Sequence, residues 1–336
     1  MYKNSKLFIF LTLVLTIIFS GCNDEGSIKK NGNEEEKYEL SLGHVLTANS
    51  HSWNDTALEF AEAVEKESDG RITIDVYPDG QLGSDIEMLQ QIQMGDLDMG
   101  LISGAAHSPV VPEMGIEGFP FLFESNEDAY ESMDGELGDK LFGLLEENGI
   151  KGLAWWESGI YQITNNKHPI EKPEDLEGMK IRVPEDELRQ ESYKKLGANP
   201  EPMAFTELFS ALQQGTIDGQ SNPSPIVLSS NFHEVQKYLS IVNVNWTSAV
   251  LEINSDTWNS MPDDLQEILK TNAIEYRDIQ RKRIREEDQE SIEKLEKEGI
   301  EVNYVDDLDA FKKEVEPVYE EYREHFGDDL MDLINK

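Results

Sequence analysis

From Tyr38 onward, the spacing of apolar residues switches repeatedly between the period of a strand and that of a helix. Apolar and polar residues alternate over 38–45, which predicts a strand, and the apolar residues that follow share one helical face that includes Phe60 and Val64. The pattern then predicts a strand at 72–76, a helix around 86–92 that ends at Gly95, and a strand at 97–102. Together these elements form a β-α-β-α-β unit.

A second series of elements begins near Gly152 and repeats this alternation. From Pro262 to about Glu298 the chain is helical and highly charged, and we interpret its charge run as a solvated helix face. Strands separated by helices predict an α/β fold with mostly parallel sheets, whose ligands tend to bind at the carboxyl ends of the strands. The predicted strands are 153–156, 161–164, 179–183, 217–220 and 246–253, and the predicted helices are 185–196 and 205–214.

The length of the chain favours two lobes over one domain. Its 336 residues are 38% hydrophobic, which is enough to bury two modest cores. The formal net charge is −39, so the phosphates of nucleic acid would be repelled and nucleic acid is excluded as a partner. Local geometry still governs a small site, because surface charges are screened within about 8–10 Å.

The first residues predict export from the cytoplasm. Lys3 and Lys6 precede an apolar run over 7–19, which is too short to span a membrane because spanning needs about 20 residues. The run ends in the segment F-S-G-C, which resembles the lipobox of bacterial lipoproteins except that Phe19 replaces the usual leucine. We therefore predict a signal peptide over residues 1–21 and a lipid anchor on Cys22, with an incidental thiol as the alternative.

Two further features concern the same end of the chain. The stretch 22–37 is polar and contains almost nothing able to pack, which is typical of a flexible tether. Cys22 is the only cysteine, so no intramolecular disulfide and no cysteine-based metal cluster can form.

The chain carries no motif that indicates catalysis. Its six histidines are far apart, and the sequence lacks a zinc motif, a G-x-S-x-G elbow, a dinucleotide-binding turn and a phosphate loop. We expect neither enzymatic activity nor a cofactor or metal. An extracytoplasmic hydrolase remains as the alternative from another functional class.

Two long blocks carry a resemblance to a known family. The segments Phe60–Gly100 and Leu176–Pro223, which include K-I-R-V-P and D-G-Q-S-N-P, resemble substrate-binding proteins of tripartite ATP-independent periplasmic (TRAP) transporters of the DctP type. The resemblance implies a two-lobed periplasmic-binding-protein-like fold of type II character, with long C-terminal helices. It also implies an organic acid as ligand, a secondary-transporter permease as partner and a monomeric state. We expect one lobe over 38–159 with 247–287, and the other over 160–246 with 288–336.

The resemblance also implies which residues bind the ligand. Arg182, in K-I-R-V-P, matches the arginine that grips the substrate carboxylate, and its planar fork of donors suits that task. Asn222 matches a ligand-binding asparagine, and Phe205 matches an aromatic residue that lines the cleft. The alternatives are a surface ion pair for Arg182, a helix cap for Asn222 and core packing for Phe205.

One position departs from the family pattern. Many members carry a second arginine where this chain has Tyr161, and a phenol can donate a hydrogen bond but brings no full charge. A sugar acid such as a uronate is therefore the expected ligand. A C4-dicarboxylate, a keto acid or a role in ligand sensing for a sensor kinase are the alternatives. We also place Trp156, His44 and Ser103 at the cleft walls, with a core or surface position as the alternative for each and a hydrogen bond to backbone as a further alternative for His44.

Overall fold

The structure is a computed structural model that describes residues 36–334. The predicted signal peptide, Cys22 and nearly all of the predicted tether lie outside the described residues. Within the described part of the chain, no helix combines the length and the apolar character needed to cross a membrane.

Strands and helices alternate along the chain much as the periodicities predict. The strands are β1 Tyr38–Gly43, β2 Ile72–Tyr77, β3 Met99–Ser103, β4 Ile150–Ile160, β5 Gln162–Asn165, β6 Lys180–Val183, β7 Asn199–Pro202, β8 Gly219–Asn222, β9 Tyr238–Ile241, β10 Trp246–Asn254 and β11 Glu301–Tyr304. The α-helices are α1 Thr56–Glu67, α2 Asp85–Met94, α3 Asn126–Met133, α4 Glu136–Glu147, α5 Glu187–Lys195, α6 Phe205–Gln214, α7 Ser224–Ser229, α8 Ser255–Ser260, α9 Asp263–Lys297, α10 Leu308–Phe326 and α11 Asp328–Met331.

The strands form two separate sheets. The first has the order β2-β1-β3-β10-β4, and the second has the order β11-β9-β5-β8-β6-β7. In the first sheet only β10 runs against its neighbours, and in the second only β5 does so. The predicted α/β fold with two mostly parallel sheets is confirmed. We call the part built on the first sheet the first lobe and the part built on the second sheet the second lobe.

Two chain segments connect the sheets side by side, and together they form what we call the hinge ribbon. One is Tyr161, which alone separates β4 from β5, and the other is 242–245, which separates β9 from β10. The two segments are hydrogen-bonded to each other, from Tyr161 N to Asn245 O at 2.8 Å and from Val244 N to Tyr161 O at 3.0 Å. The two antiparallel strands, β5 and β10, each follow directly after one of these two connecting segments.

Helix α9 is the third connection between the sheets and, with 35 residues, is about 52 Å long. It packs on β4, α1 and α7. The interpretation of its charge run as a solvated face is wrong for Arg281, which is buried and donates hydrogen bonds to the Asp134 carboxylate at 2.6 and 2.9 Å. The buried face of the helix includes Leu265, Leu269, Ala273, Ile284, Ile292 and Leu295.

Candidate functional site

A cavity of about 40 Å³ lies between the two lobes at the carboxyl ends of several strands. The first lobe contributes residues that follow β1, β2 and β3, and the second lobe contributes residues that end or follow β6 and β8. The lining consists of Val45, Leu46, Trp53, Ser84, Asp85, Ser103, Ala106, Ser158, Tyr161, Arg182, Pro184, Glu185, Ala204, Phe205, Asn222 and Ile226.

The lobes touch at the mouth of this cavity, so the structure represents a closed form. Gly80, in the turn after β2, lies so near α6 that a β-carbon there would be 2.8 Å from Cγ2 of Thr206. The Thr47 hydroxyl donates a hydrogen bond to Ser229 O at 3.4 Å from the other side. Both contacts have to separate for the two lobes to move apart.

Arg182 projects from β6 into the cavity and is the one cation among its lining residues. It is only 3% exposed, and its Nε and Nη2 donate to Met203 O at 3.0 and 2.7 Å. Its Nη1 has no hydrogen-bond partner within residues 36–334. Burial lowers the pKa of the guanidinium to about 10, so it keeps its charge at neutral pH. The free donor is therefore charged and largely removed from water.

Asn222 and Tyr161 present polar groups on the same side of the hinge ribbon. The Asn222 amide donates to Gln220 Oε1, and Gln220 in turn donates to Thr164 Oγ1 at 2.8 Å. This chain of hydrogen bonds within the second sheet fixes the Asn222 side chain. The Tyr161 hydroxyl lies at the cavity and has no hydrogen-bond partner within the described part of the chain. Both side chains can therefore bond to an oxygen of a ligand.

Phe205 and Ser103 also line the cavity, one from each lobe. Phe205 begins α6 and packs against Phe232 with ring centroids 5.8 Å apart, so it forms an apolar wall. Ser103 ends β3, and its buried hydroxyl has no hydrogen-bond partner in the described structure. The structure thus brings together five of the residues singled out from the sequence.

His44 and Trp156 lie outside the cavity, which corrects their predicted place at its walls. Trp156 is in the middle of β4, where side chains face the covering helices, and its indole donates to Ala273 O at 3.2 Å. His44 is buried with Nε2 3.3 Å from Asn54 Oδ1. Burial lowers the pKa of His44 to about 4, so the ring is neutral. It packs edge-on against Trp53, which lines the cavity in its place.

Asp85 is one of several lining residues that the sequence analysis did not single out. It is the first residue of α2, directly after the N-cap Ser84, and is 8% exposed with an unpartnered Oδ1. Burial raises the pKa of its carboxyl to about 6, although the nearby charges of Arg182 and His107 partly oppose this. The capping pattern S-x-x-E after a predicted strand could have located it, because it places residue 85 at a helix start beside strand ends.

Replacing Asp85 with asparagine should stabilise the unliganded protein at pH 8. Since the pKa rises from 3.8 in the unfolded chain to about 6 in the folded one, folding opposes ionisation of this carboxyl. The resulting loss of stability is absent below pH 3.8, grows between pH 4 and 6, and is complete above pH 6 at on the order of 2–3 kcal/mol. Thermal unfolding of both proteins at pH 4 and pH 8 measures it.

The exposed acid Asp75 on the neighbouring strand β2 provides the matched control. Asp75→Asn should leave the difference between pH 4 and pH 8 as it is in the parent protein. A gain for Asp85→Asn of equal size at both pH values would contradict the assignment of the effect to a buried, ionised carboxyl.

Comparison with known proteins adds a consistent set of relatives. The sequence profile of DctP, bacterial extracellular solute-binding protein family 7, matches residues 42–325. The chain is 33% identical over 263 residues to the 2,3-diketo-L-gulonate-binding periplasmic protein YiaO of Escherichia coli K12, an alignment that covers 78% of this chain and 80% of that protein.

Many solved structures share this fold, and two of them illustrate the likeness. A TRAP periplasmic solute-binding protein from Polaromonas sp. JS666 with bound D-erythronate is 36% identical and matches with a TM-score of 0.86, over 89% of this chain and 98% of its own. The sugar acid binding protein DctPAm from Advenella mimigardefordensis, in complex with galactonate, is 30% identical, with a TM-score of 0.87 over 89% of this chain and 97% of its own.

Proposed function

Because the chain belongs to the DctP family of bacterial extracellular solute-binding proteins, we propose that it captures a monocarboxylic sugar acid between its lobes and delivers it to the membrane subunits of a TRAP-type secondary transporter. The ligand class includes aldonates and uronates. The family is extracytoplasmic, so capture takes place outside the cytoplasm. The lipobox-like segment supports the further proposal that a lipid on Cys22 holds the protein at the membrane surface.

The observation that carries this proposal is the free donor of Arg182 in a cavity lined by both lobes. A buried guanidinium with an unused nitrogen needs an anionic partner, because an unpaired charge removed from water is costly. A ligand carboxylate meets this need with charge-assisted hydrogen bonds. Asn222 and Tyr161 stand beside it on the same wall to bond further oxygens.

The remaining charges of the cavity favour one carboxylate over two. Asp85 and Glu185 line it together with the single cation Arg182, so a second ligand carboxylate would meet negative charge. A carboxylate side chain instead accepts hydrogen bonds from hydroxyl groups. The relatives with bound D-erythronate and galactonate hold acids of this monocarboxylic, hydroxyl-rich kind.

We propose that the ligand works by shifting the protein toward the closed form. The wall residues come from both lobes, so a ligand can contact all of them only when the lobes meet. The lobes we propose are 38–159 with 247–287, and 160–246 with 288–336. The permease then recognises the closed shape of a monomeric binding protein that catalyses no reaction.

Titration calorimetry with a panel of acids tests the proposal. We expect at least one aldonate or uronate to bind with a dissociation constant near micromolar or below, which corresponds to about 8 kcal/mol. Succinate, which has the four-carbon length of D-erythronate but a second carboxylate, should bind much more weakly. Product analysis of the same mixtures should show unchanged ligand. Tight binding of succinate with no binding of any sugar acid would overturn the assignment of ligand class.

A further inference from the structure

Arg189 is a buried arginine that does not line the cavity but supports one of its walls. It lies on α5 of the second lobe and is 1% exposed. Its guanidinium carbon is 4.6 Å from the ring centroid of Tyr161. At this distance the cation attracts the face of the ring and helps to fix its position. The aromatic ring at the hinge ribbon is therefore backed by a charge that lies outside the cavity lining.

The same guanidinium makes hydrogen bonds to residues of the first lobe. Its Nη2 donates a hydrogen bond to Thr247 Oγ1 at 2.6 Å, and it lies 3.4 Å from Glu117 O. Thr247 belongs to β10 in the first sheet. The Glu117 carboxylate is itself held in the first lobe, since it accepts hydrogen bonds from the main chain and hydroxyl of Ser248 at 2.9 and 2.6 Å. Arg189 thus ties α5 to a fixed part of the opposite lobe.

The surrounding structure holds this arginine in place. Asp186 accepts the Arg189 main-chain N–H at 3.1 Å, and its other oxygen lies 3.5 Å from Arg189 Nε. Gly118 of the first lobe faces this end of α5 so closely that a β-carbon would lie 2.9 Å from Asp186 Oδ2. The absence of a side chain at residue 118 therefore lets the start of α5 sit directly on the first lobe.

We propose that Arg189 is a positioning residue that latches the two lobes in the closed form without touching the ligand. It acts by bridging to Thr247 and by keeping Tyr161 turned toward the cavity. When the lobes separate, the bridge to Thr247 breaks and water can reach the guanidinium. The consequence for capture rests on the proposed function, because a latch retains a ligand only if closure retains it. Loss of the latch should leave the association rate nearly unchanged and speed dissociation.

The test compares three variants of the full-length protein. Arg189→Gln removes the charge and shortens the reach, Thr247→Val removes only the acceptor hydroxyl, and Arg189→Lys keeps the charge but not the flat guanidinium. The control is Arg283→Gln, which removes bonds to Thr56 Oγ1 at 2.9 Å and to the Glu59 carboxylate at 2.9 and 2.8 Å, all between α9 and α1 on the first-lobe side. Thermal unfolding of each variant separates effects on closure from effects on folding.

Lobe opening is measured directly with a pair of spin labels. Cysteines replace the exposed residues Glu62 on α1 and Gln213 on α6, and Cys22→Ser removes the native thiol. Distance distributions are recorded without ligand and with saturating D-erythronate or galactonate, whichever the parent protein binds. We expect Arg189→Gln to broaden the closed distribution and to raise the dissociation rate about tenfold. Thr247→Val should produce a smaller change, and Arg189→Lys should fall between the parent and Arg189→Gln.

The coupling between the two residues distinguishes a latch from general loosening. Combining Arg189→Gln with Thr247→Val should be no worse than Arg189→Gln alone, because both remove one bridge. Arg283→Gln should leave distances and rates as in the parent. Unchanged distances and dissociation rates in both Arg189→Gln and Thr247→Val would overturn the proposal. If Arg189→Gln does not fold, Thr247→Val alone decides. If the parent binds no sugar acid, the proposed function fails, while the unliganded distances still test the latch.

Discussion

Replacing Arg182 with alanine should weaken ligand binding by about 3–5 kcal/mol, which is a rise of roughly 10²–10⁴-fold in the dissociation constant. The loss is this large because the ligand carboxylate would enter a closed cavity without its charged partner, while Asp85 and Glu185 remain. Titration calorimetry of the variant against the best ligand of the parent protein measures the effect. Arg182→Lys should lie between the two, because an ammonium keeps the charge but lacks the planar fork.

Arg71 provides the matched control for this experiment, since it is an arginine whose partner, Asp264, lies at the surface far from the cavity. Arg71→Ala should leave the dissociation constant unchanged within about twofold, because exposed ion pairs contribute little. Calorimetric affinity of Arg182→Ala equal to that of the parent would remove this arginine from the ligand site and, with it, the central support of the proposed function.

Replacing Trp156 with alanine should reduce the free energy of unfolding by about 3–5 kcal/mol, because it leaves a large cavity in the core of the first lobe. The side chain is fully buried, and its ring packs edge-on against Phe60 with centroids 6.4 Å apart. It also donates a hydrogen bond to the main chain of α9. Urea denaturation of the parent and the variant measures the change.

The affinity of the folded Trp156→Ala protein for its ligand should change much less than its stability. Trp53→Ala is the informative comparison, because this tryptophan is just as buried yet lines the cavity, so its loss should affect both quantities. A Trp156 variant that keeps the stability of the parent but loses ligand binding would restore the original prediction that residue 156 forms the cleft wall.

The sequence predicted the long, strongly periodic elements well. Strand β2 and helices α2 and α6 follow the predicted ranges closely, because their apolar residues fix which face is buried. Strands β7, β9 and β11 went unpredicted for physical reasons. Each has only four residues. β7 and β11 also lie at the edges of the second sheet, where a strand is hydrogen-bonded to a neighbour on one side only and its alternation of apolar and polar residues is weak. β7 even contains two prolines, which only edge strands readily accept.

The same contrast explains which site residues could be foreseen. Arg182, Asn222 and Ser103 are at or near the ends of strands, where the topology collects side chains from distant parts of the chain. Trp156 is the seventh residue of an eleven-residue strand, so its side chain packs against helices instead of facing the cleft. Sequence spacing does not reveal how far residue 156 lies from the end of its strand, because the length of β4 beyond its apolar run depends on its pairing with β10.

The hinge ribbon restricts how the lobes can move. A pair of hydrogen-bonded segments bends and twists easily, but sliding one past the other would break both of its bonds. Opening should therefore be a hinge rotation of one lobe relative to the other about a single axis, with little translation of the lobes. Capture events with different cargoes would then end in nearly the same outer shape. Under the proposed function, the permease recognises a loaded protein by that common shape, whatever acid lies inside.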